Sequence, residues 1–338
     1  MPRWTIDSPR TIDFGDVAAL KVRVISGSVA ILASPDEPSV DVSSLSGQPL
    51  LVTHEAGILT ITYEDLQWDG LLGWLRPQRH SADVTVTVPG GCPTQVGVVN
   101  ASAIVSGISA NISAKSVSGD ITLDGVTGSV DAKTVSGDLE ARGIDGDIAF
   151  NSVSGDLTLA GGAVRQLDAK TVSGRVTADI DLDDSGGVKV ATVSGDVAVR
   201  VPACASARVD LRSASGRVRS GFDGMSASPG PGPSVMSATI GSGAANVSVT
   251  SMTGDVTLLA RPDAESGTGP EPEAGAPEPA GAPEPTGAPE STGAPEPTGA
   301  PEPTGAPEPT GAPEPTGAPE PTGAPEPTRS ATQPGDAR

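Results

Sequence analysis

The sequence predicts an all-β chain, a β-solenoid or parallel β-helix-like stack with two strands per coil of roughly 18 residues, and three observations predict it. Glycine follows serine or threonine at Gly119, Gly137, Gly155, Gly174, Gly195, Gly216 and Gly254, the first steps being 18, 18 and 19 residues. A fixed period of that size marks units that bury their faces against one another. Between the glycines apolar and polar residues alternate, as in Asp120-Ile121-Thr122-Leu123-Asp124, the pattern of a strand with one buried face. Aromatic residues are only 2% of the chain, and past Trp74 only Phe150 and Phe222 remain. Small and β-branched residues must therefore fill thin stacked layers.

Residues 1–95 read as a β-rich cap with the first strands. Strand-like runs at 22–25, 29–32, 50–53, 59–63 and 84–88 are separated by turn residues such as Ser26-Gly27 and Glu55-Ala56-Gly57. A stack of coils needs such a cap to cover its open end.

Residues 96–262 read as the repeat, continuous with the cap. Gly128 and Gly146 fall midway between the main glycines, and nine residues accommodate one strand and one turn. The glycines are expected to supply the positive φ of those turns. Ile121 aligns with Leu139, Leu157, Val176, Val197, Val218 and Val256, and Leu123 with Ala141, Leu159, Ala178 and Val199. A second inward column is expected along Val117, Val135, Val153, Val172, Val193 and Ala214, and the opposite strand supplies Val130 and Ala132, then Ile148 and Phe150. Thr122, Asp124, Lys133 and Thr134 are expected to face water. After Gly174 the steps lengthen to 21, 21 and 38, which predicts bulged turns at 181–187 and 202–207, a proline-rich loop at 226–233, and one or two closing coils.

From 263 to 338 the chain becomes an Ala-Pro-Glu-Pro-Thr-Gly repeat with almost nothing to bury. It is expected to be disordered, as a spacer or as a ligand for a proline-recognition module.

The formal charge is −21. The tail holds 14 acidic and 2 basic side chains, leaving 9 net negative charges for residues 1–262. Nucleic acid is excluded as a partner on this balance. No apolar stretch at the start resembles a signal peptide and no window is long enough to span a bilayer, so the chain as written is expected in the cytoplasm, the alternative being a cell surface reached by an unrecognised route. Cys92 and Cys204 stand in no metal or redox spacing, and no cofactor is expected.

Val84-Thr85-Val86-Thr87-Val88-Pro89, followed by Val-Ser-Gly-Asp at 117–120, 135–138, 153–156 and 193–196, resembles the DUF4097 family over about residues 5–260. That family carries the label "putative adhesin". The resemblance implies a β-solenoid-like domain without catalytic residues, and relatives attached to membrane segments or found beside envelope-stress signalling proteins.

Two candidate sites stand out. The column Asp120, Asp138, Asp156, Arg175, Asp196, Arg217 and Asp255 could hold Ca²⁺ between coils. Alternatively, each Asp caps its own turn while the arginines relieve repulsion. The chain does not match the glycine-rich nonapeptide of calcium-binding β-rolls, so the capping reading is preferred. Trp68, Leu71, Leu72, Trp74 and Leu75, just before Arg76, Arg79 and His80, form either part of the cap or a contact patch for a protein or a membrane surface. With two histidines and no nucleophile or phosphate motif, an enzyme is not expected. The expected role is a non-enzymatic scaffold presenting repetitive faces to a protein or glycan partner. The alternatives are a cell-surface adhesin and a regulatory component of envelope-stress signalling.

Overall fold

Successive strands find their partners 18 or 19 residues along the chain, so that Ile121 pairs with Leu139 and Leu139 with Leu157. The computed structural model that shows this describes residues 2–63, 80–225 and 232–262, all within one compact unit, Met1–Glu271. These residues are all-β and contain no helix. The expected disorder of 263–338 and residues 226–231 of the loop expected at 226–233 lie outside the described residues.

The first eight strands are β1 (Arg3–Ile6), β2 (Arg10–Asp13), β3 (Ala19–Ala33), β4 (Ser39–Ser46), β5 (Leu50–Glu55), β6 (Ile58–Tyr63), β7 (Ser81–Val88) and β8 (Thr94–Ser106). The repeat proper supplies β9 (Ile112–Ser116), β10 (Ile121–Asp124), β11 (Thr127–Thr134), β12 (Leu139–Arg142), β13 (Asp145–Asn151), β14 (Leu157–Thr171), β15 (Val176–Thr192) and β16 (Val197–Pro202). The rest are β17 (Ala207–Ser213), β18 (Val218–Ser220), β19 (Ser234–Ile240), β20 (Ala245–Ser251) and β21 (Val256–Arg261).

Two parallel ladders result. The first runs β6, the start of β3, the start of β8, β9, β11, β13, the ends of β14 and β15, β20 and β17. The second runs β7, the end of β3, the end of β8, β10, β12, the starts of β14 and β15, β16, β21 and β18. Both ends depart from chain order. β3 lies between β8 and the later pair β6 and β7, and β20 and β21 lie between β15 and β16 on one side and the earlier β17 and β18 on the other. The closing coil is therefore inserted one place in from the end. Antiparallel strands then cover three of the four ladder ends, β5 on β6, β4 on β7 and β19 on β17, which shields those strands from pairing with another chain, while among the described strands the short β18 pairs only with β21.

The interior follows the alternation. Ile112, Ala114 and Ser116 point in, then Ile121, Leu123 and Val126, and the next coil repeats this with Val130, Ala132, Thr134, Leu139, Ala141 and Ile144. Each buried Val, Leu or Ile is worth roughly 1.5–3 kcal/mol, so neighbouring coils stabilise one another through these columns.

Two expectations about the repeat turn need correction. The column expected inward at Val135, Val153, Val172 and Val193 is 44–50% exposed, Val117 is half-buried and Ala214 exposed. The interior place is taken instead by the preceding residue, Ser116, Thr134, Ser152, Thr171, Thr192, Ser213 or Ser251, each of them buried. The hydroxyls of Ser116, Ser152, Thr171, Thr192, Ser213 and Ser251 accept the N–H of the glycine three residues on, at 2.8–3.0 Å. A hydroxyl is retained inside because that N–H would otherwise be buried without a partner. Thr134, expected in water, is thus buried, while Asp124 and Lys133 are exposed and Thr122 is half-buried.

The glycines are also required for another reason. None of the seven Ser/Thr-Gly glycines has positive φ. A Cβ on Gly137 would lie 2.0 Å from the carbonyl oxygen of Gly119, and one on Gly254 1.9 Å from that of Gly195. Here glycine permits close stacking of turn on turn. The midway residues Gly128 and Gly146 do carry positive φ, 129° and 142°.

Candidate functional site

Because each ladder is in register, every outward position of a strand becomes a row running along the stack. On the first ladder one row reads Arg23, Gly97, Lys115, Lys133, Asn151, Lys170, Ala191, Thr250, Arg212. The row beside it reads Lys21, Gln95, Ser113, Asp131, Ala149, Asp168, Lys189, Ser248, Asp210. With parallel strands about 4.8 Å apart, nine rungs span about 40 Å. The chain has five lysines, and all five are in these two rows.

A third row carries Ser129, Asp147, Gln166, Gly187, Asn246 and Arg208. The three rows together hold eight basic and four acidic side chains, a net positive face on a net negative domain. Three of the carboxylates pair within the face: Asp131 with Lys133 at 2.8 Å, Asp168 with Lys170 at 3.2 Å, and Asp210 with Arg212 at 2.7 Å. The fourth, Asp147, pairs with Arg165. Hydrogen bonds from these arginines hold the Asp147 and Asp210 carboxyls below the usual carboxylate range. Lys21, Lys115 and Lys189 make no ion pair among the described residues. A groove of about 570 Å³ runs beside the lysine row, with Gln95, Asn111, Ser113, Ser129 and Gln166 among its walls. Ser129 donates to Asn111 Oδ1 across it at 2.8 Å.

The second ladder shows the opposite charge. Its outward rows hold Asp83, Asp120, Asp124, Asp138, Glu140, Asp156, Asp179, Asp196 and Asp255 against Arg142, Arg175, Arg200, Arg217 and Arg219. The predicted Asp column is here, and it caps differently from the expectation. Asp138 N–H donates to Asp120 Oδ1 at 3.0 Å, Asp156 N–H to Asp138 Oδ1 at 2.8 Å, and Arg175 N–H to Asp156 Oδ1 at 2.7 Å. Beyond Arg175 the series resumes with Asp255 N–H on Asp196 Oδ1 and Arg217 N–H on Asp255 Oδ1. Each carboxylate thus caps the neighbouring coil, because the equivalent N–H lies one rung away while its own turn is closed by the buried hydroxyl. Among the described residues no three His, Cys, Asp or Glu side chains gather as a metal site. Arg261 reaches from β21 to Asp179, at 2.9 Å, and to Asp181; the hydrogen bond from Arg200, with a smaller contribution from Arg261, holds the Asp179 carboxyl below its usual range.

The other predicted site residues, Trp68, Leu71, Leu72, Trp74 and Leu75, lie outside the described residues, as do Arg76 and Arg79. His80 is buried, its Nδ1 accepts the Gln48 N–H at 2.9 Å, and its ring lies 5.5 Å from that of Tyr63. Tyr63 is buried enough that its hydroxyl is pushed up to about 12. His54 packs edge-on to Phe14, so both histidines are tied into the β-rich first third. Cys92 is buried and Cys204 exposed.

Sequence reasoning missed the lysine face. The signal was present in Ala-Lys-Ser at 114–116 and Ala-Lys-Thr at 132–134 and 169–171, where lysine always falls between two inward residues.

Comparison with known proteins gives a family and distant structural likenesses. The model of the family described as Toastrack DUF4097 matches residues 18–259. No curated protein matches the chain. A crystal structure of a "putative adhesin" from Bacteroides fragilis is 9% identical with a TM-score of 0.42, covering 76% of this chain and 97% of that one. Another, of a "putative lipid binding protein" from Parabacteroides distasonis, is 11% identical with a TM-score of 0.37, covering 74% and 96%.

Proposed function

Since the chain belongs to the Toastrack DUF4097 family, we propose that it is a non-enzymatic binding protein of the adhesin or scaffold type, a β-solenoid of two strands per 18-residue coil that offers its lysine face to an acidic partner. One observation carries this reading: all five lysines of a chain with net charge −21 gather on one outer face. Lys133 and Lys170 pair with Asp131 and Asp168, yet the three rows keep eight basic against four acidic side chains, the reverse of the balance of the domain. A rigid row of cations steers and orients a partner of opposite charge. Nothing about that face calls for a reaction, since its lysines, amides and hydroxyls lack the nucleophile and base in contact that covalent chemistry needs.

The test is affinity capture by the full chain from native lysate and from envelope extract, beside the variant Lys115→Glu/Lys133→Glu/Lys170→Glu. The reading predicts a partner retained by the parent chain and lost by the variant at unchanged melting temperature. A partner held equally by both would refute the lysine face as the binding surface.

A further inference from the structure

We propose that the occupant of the lysine face is a linear acidic polysaccharide lying along the stack axis, an inference that rests on the binding role proposed above. Three features of the face point to it. The cations form a line: five of the nine positions in the row from Arg23 to Arg212 are basic, over about 40 Å at the strand spacing of a parallel ladder. A line of charge matches a thread better than it matches a globular patch.

The groove beside that line supplies the second feature. Its walls are largely apolar, from Pro93, Ile112, Val130, Ile148 and Ala149 among others, and between them Gln95, Asn111, Ser113, Ser129 and Gln166 offer amide and hydroxyl groups while Asp131 and Asp147 offer acceptors. Carboxylates there repel a bare polyanion but accept hydrogen bonds from hydroxyls. A polymer carrying both acid groups and hydroxyls satisfies both strips at once, its acid groups on the lysines and its hydroxyls in the groove.

The third feature is what the described part of the face lacks. Its large exposed apolar side chains, Leu32, Ile104, Val135, Val153, Met252 and Leu259 among them, belong to the second ladder or to the turns. Peripheral membrane binding uses apolar insertion beside the cations, and stacking of nucleotide bases uses aromatic rings. Neither is offered here. Peptides bind folded domains by adding a strand to a free edge, by filling an apolar groove, by docking on aromatic ridges or by setting acidic groups on arginine clusters, the last of which the poly-L-glutamate comparison tests. The interior rungs of this ladder have their backbone groups already paired on both sides, which leaves no edge for a peptide.

The test measures binding of the full chain to polygalacturonate, a polymer of carboxylated sugars. Neutral dextran, poly-L-glutamate and vesicles of equal parts phosphatidylcholine and phosphatidylglycerol serve as comparisons. Polygalacturonate is expected to bind, to weaken with added salt, and to bind roughly tenfold more weakly to Lys115→Gln/Lys133→Gln/Lys170→Gln. The groove variant Gln95→Ala/Ser113→Ala/Gln166→Ala should lose affinity for polygalacturonate and leave the weaker poly-L-glutamate signal unchanged. Equal affinity for poly-L-glutamate with a silent groove variant would overturn the polysaccharide, as would tighter binding to the vesicles. If no polyanion binds while captured material still depends on the lysines, the polysaccharide is refuted and the lysine-face reading stands. If captured material ignores the lysines as well, both fail.

Discussion

A buried hydroxyl and, one residue on, an exposed valine mark four turns of the repeat, at Thr134-Val135, Ser152-Val153, Thr171-Val172 and Thr192-Val193. Ser152 accepts the Gly155 N–H at 2.8 Å inside the core, while Val153 is 50% exposed beside it. Ser152→Ala removes the acceptor and leaves a buried N–H, and should cost about 1–3 kcal/mol. Val153→Ser should change stability by no more than about 0.5 kcal/mol. Urea titration of both variants checks the pair, and the opposite ranking would mean that the valine faces in. The sequence made the strand columns legible at this scale, because Ile121, Leu139 and Leu157 alternate cleanly with polar neighbours. It hid the turn, because hydrophobicity favours valine over serine for an inside place and says nothing of the glycine N–H that needs an acceptor. The Asp column was visible too, but its hydrogen bonds run between coils, a relation that only the stacking reveals.

At the scale of elements, the insertion of β20 and β21 between older neighbours makes the last coil a keystone. Val247 pairs with Val188 on one side and Val209 on the other, and Val256 with Val197 and Val218. Arg261 adds ion pairs to Asp179 and Asp181 across the β16 strand. Ending the chain at residue 243 therefore opens an edge on β15 and on β16, leaves β17 held only by β19, and leaves β18 without a partner. The truncated chain is predicted to lose its cooperative thermal transition and to aggregate through its open edges. If β20 and β21 merely followed in chain order, the truncated chain would keep a transition only slightly lower than the parent. The long 38-residue step to Gly254 announced an interruption but could not reveal which coil the chain would return to, since Val218 and Val256 are equally suited to follow Val197. The same ambiguity concealed the place of β3, whose two apolar runs read as separate strands of a cap.

For the whole molecule, one rule of register generates everything proposed: residues at the same place in successive coils form rows, and rows make a basic face, an acidic face and an exposed valine edge. An acidic polysaccharide meets the chain only where envelope material is present, so the binding proposed here and the cytoplasmic residence expected from the sequence pull in opposite directions. The repeat and its inward columns were readable from spacing alone, whereas the charge asymmetry required knowing which side of each strand faces out along the entire stack. The most direct test of that register, including the inserted coil, is disulfide formation between paired cysteines on the exposed edge after Cys92 and Cys204 are changed to Ser. Thr192 pairs with Ser251, and Ser251 with Ser213, so Val193 and Met252 are on adjacent rungs while Val193 and Ala214 are two rungs apart. A disulfide needs Cα atoms about 4.4–6.8 Å apart. Val193→Cys/Met252→Cys is predicted to oxidise to an intramolecular disulfide and Val193→Cys/Ala214→Cys to remain reduced, and the reverse result would contradict the account.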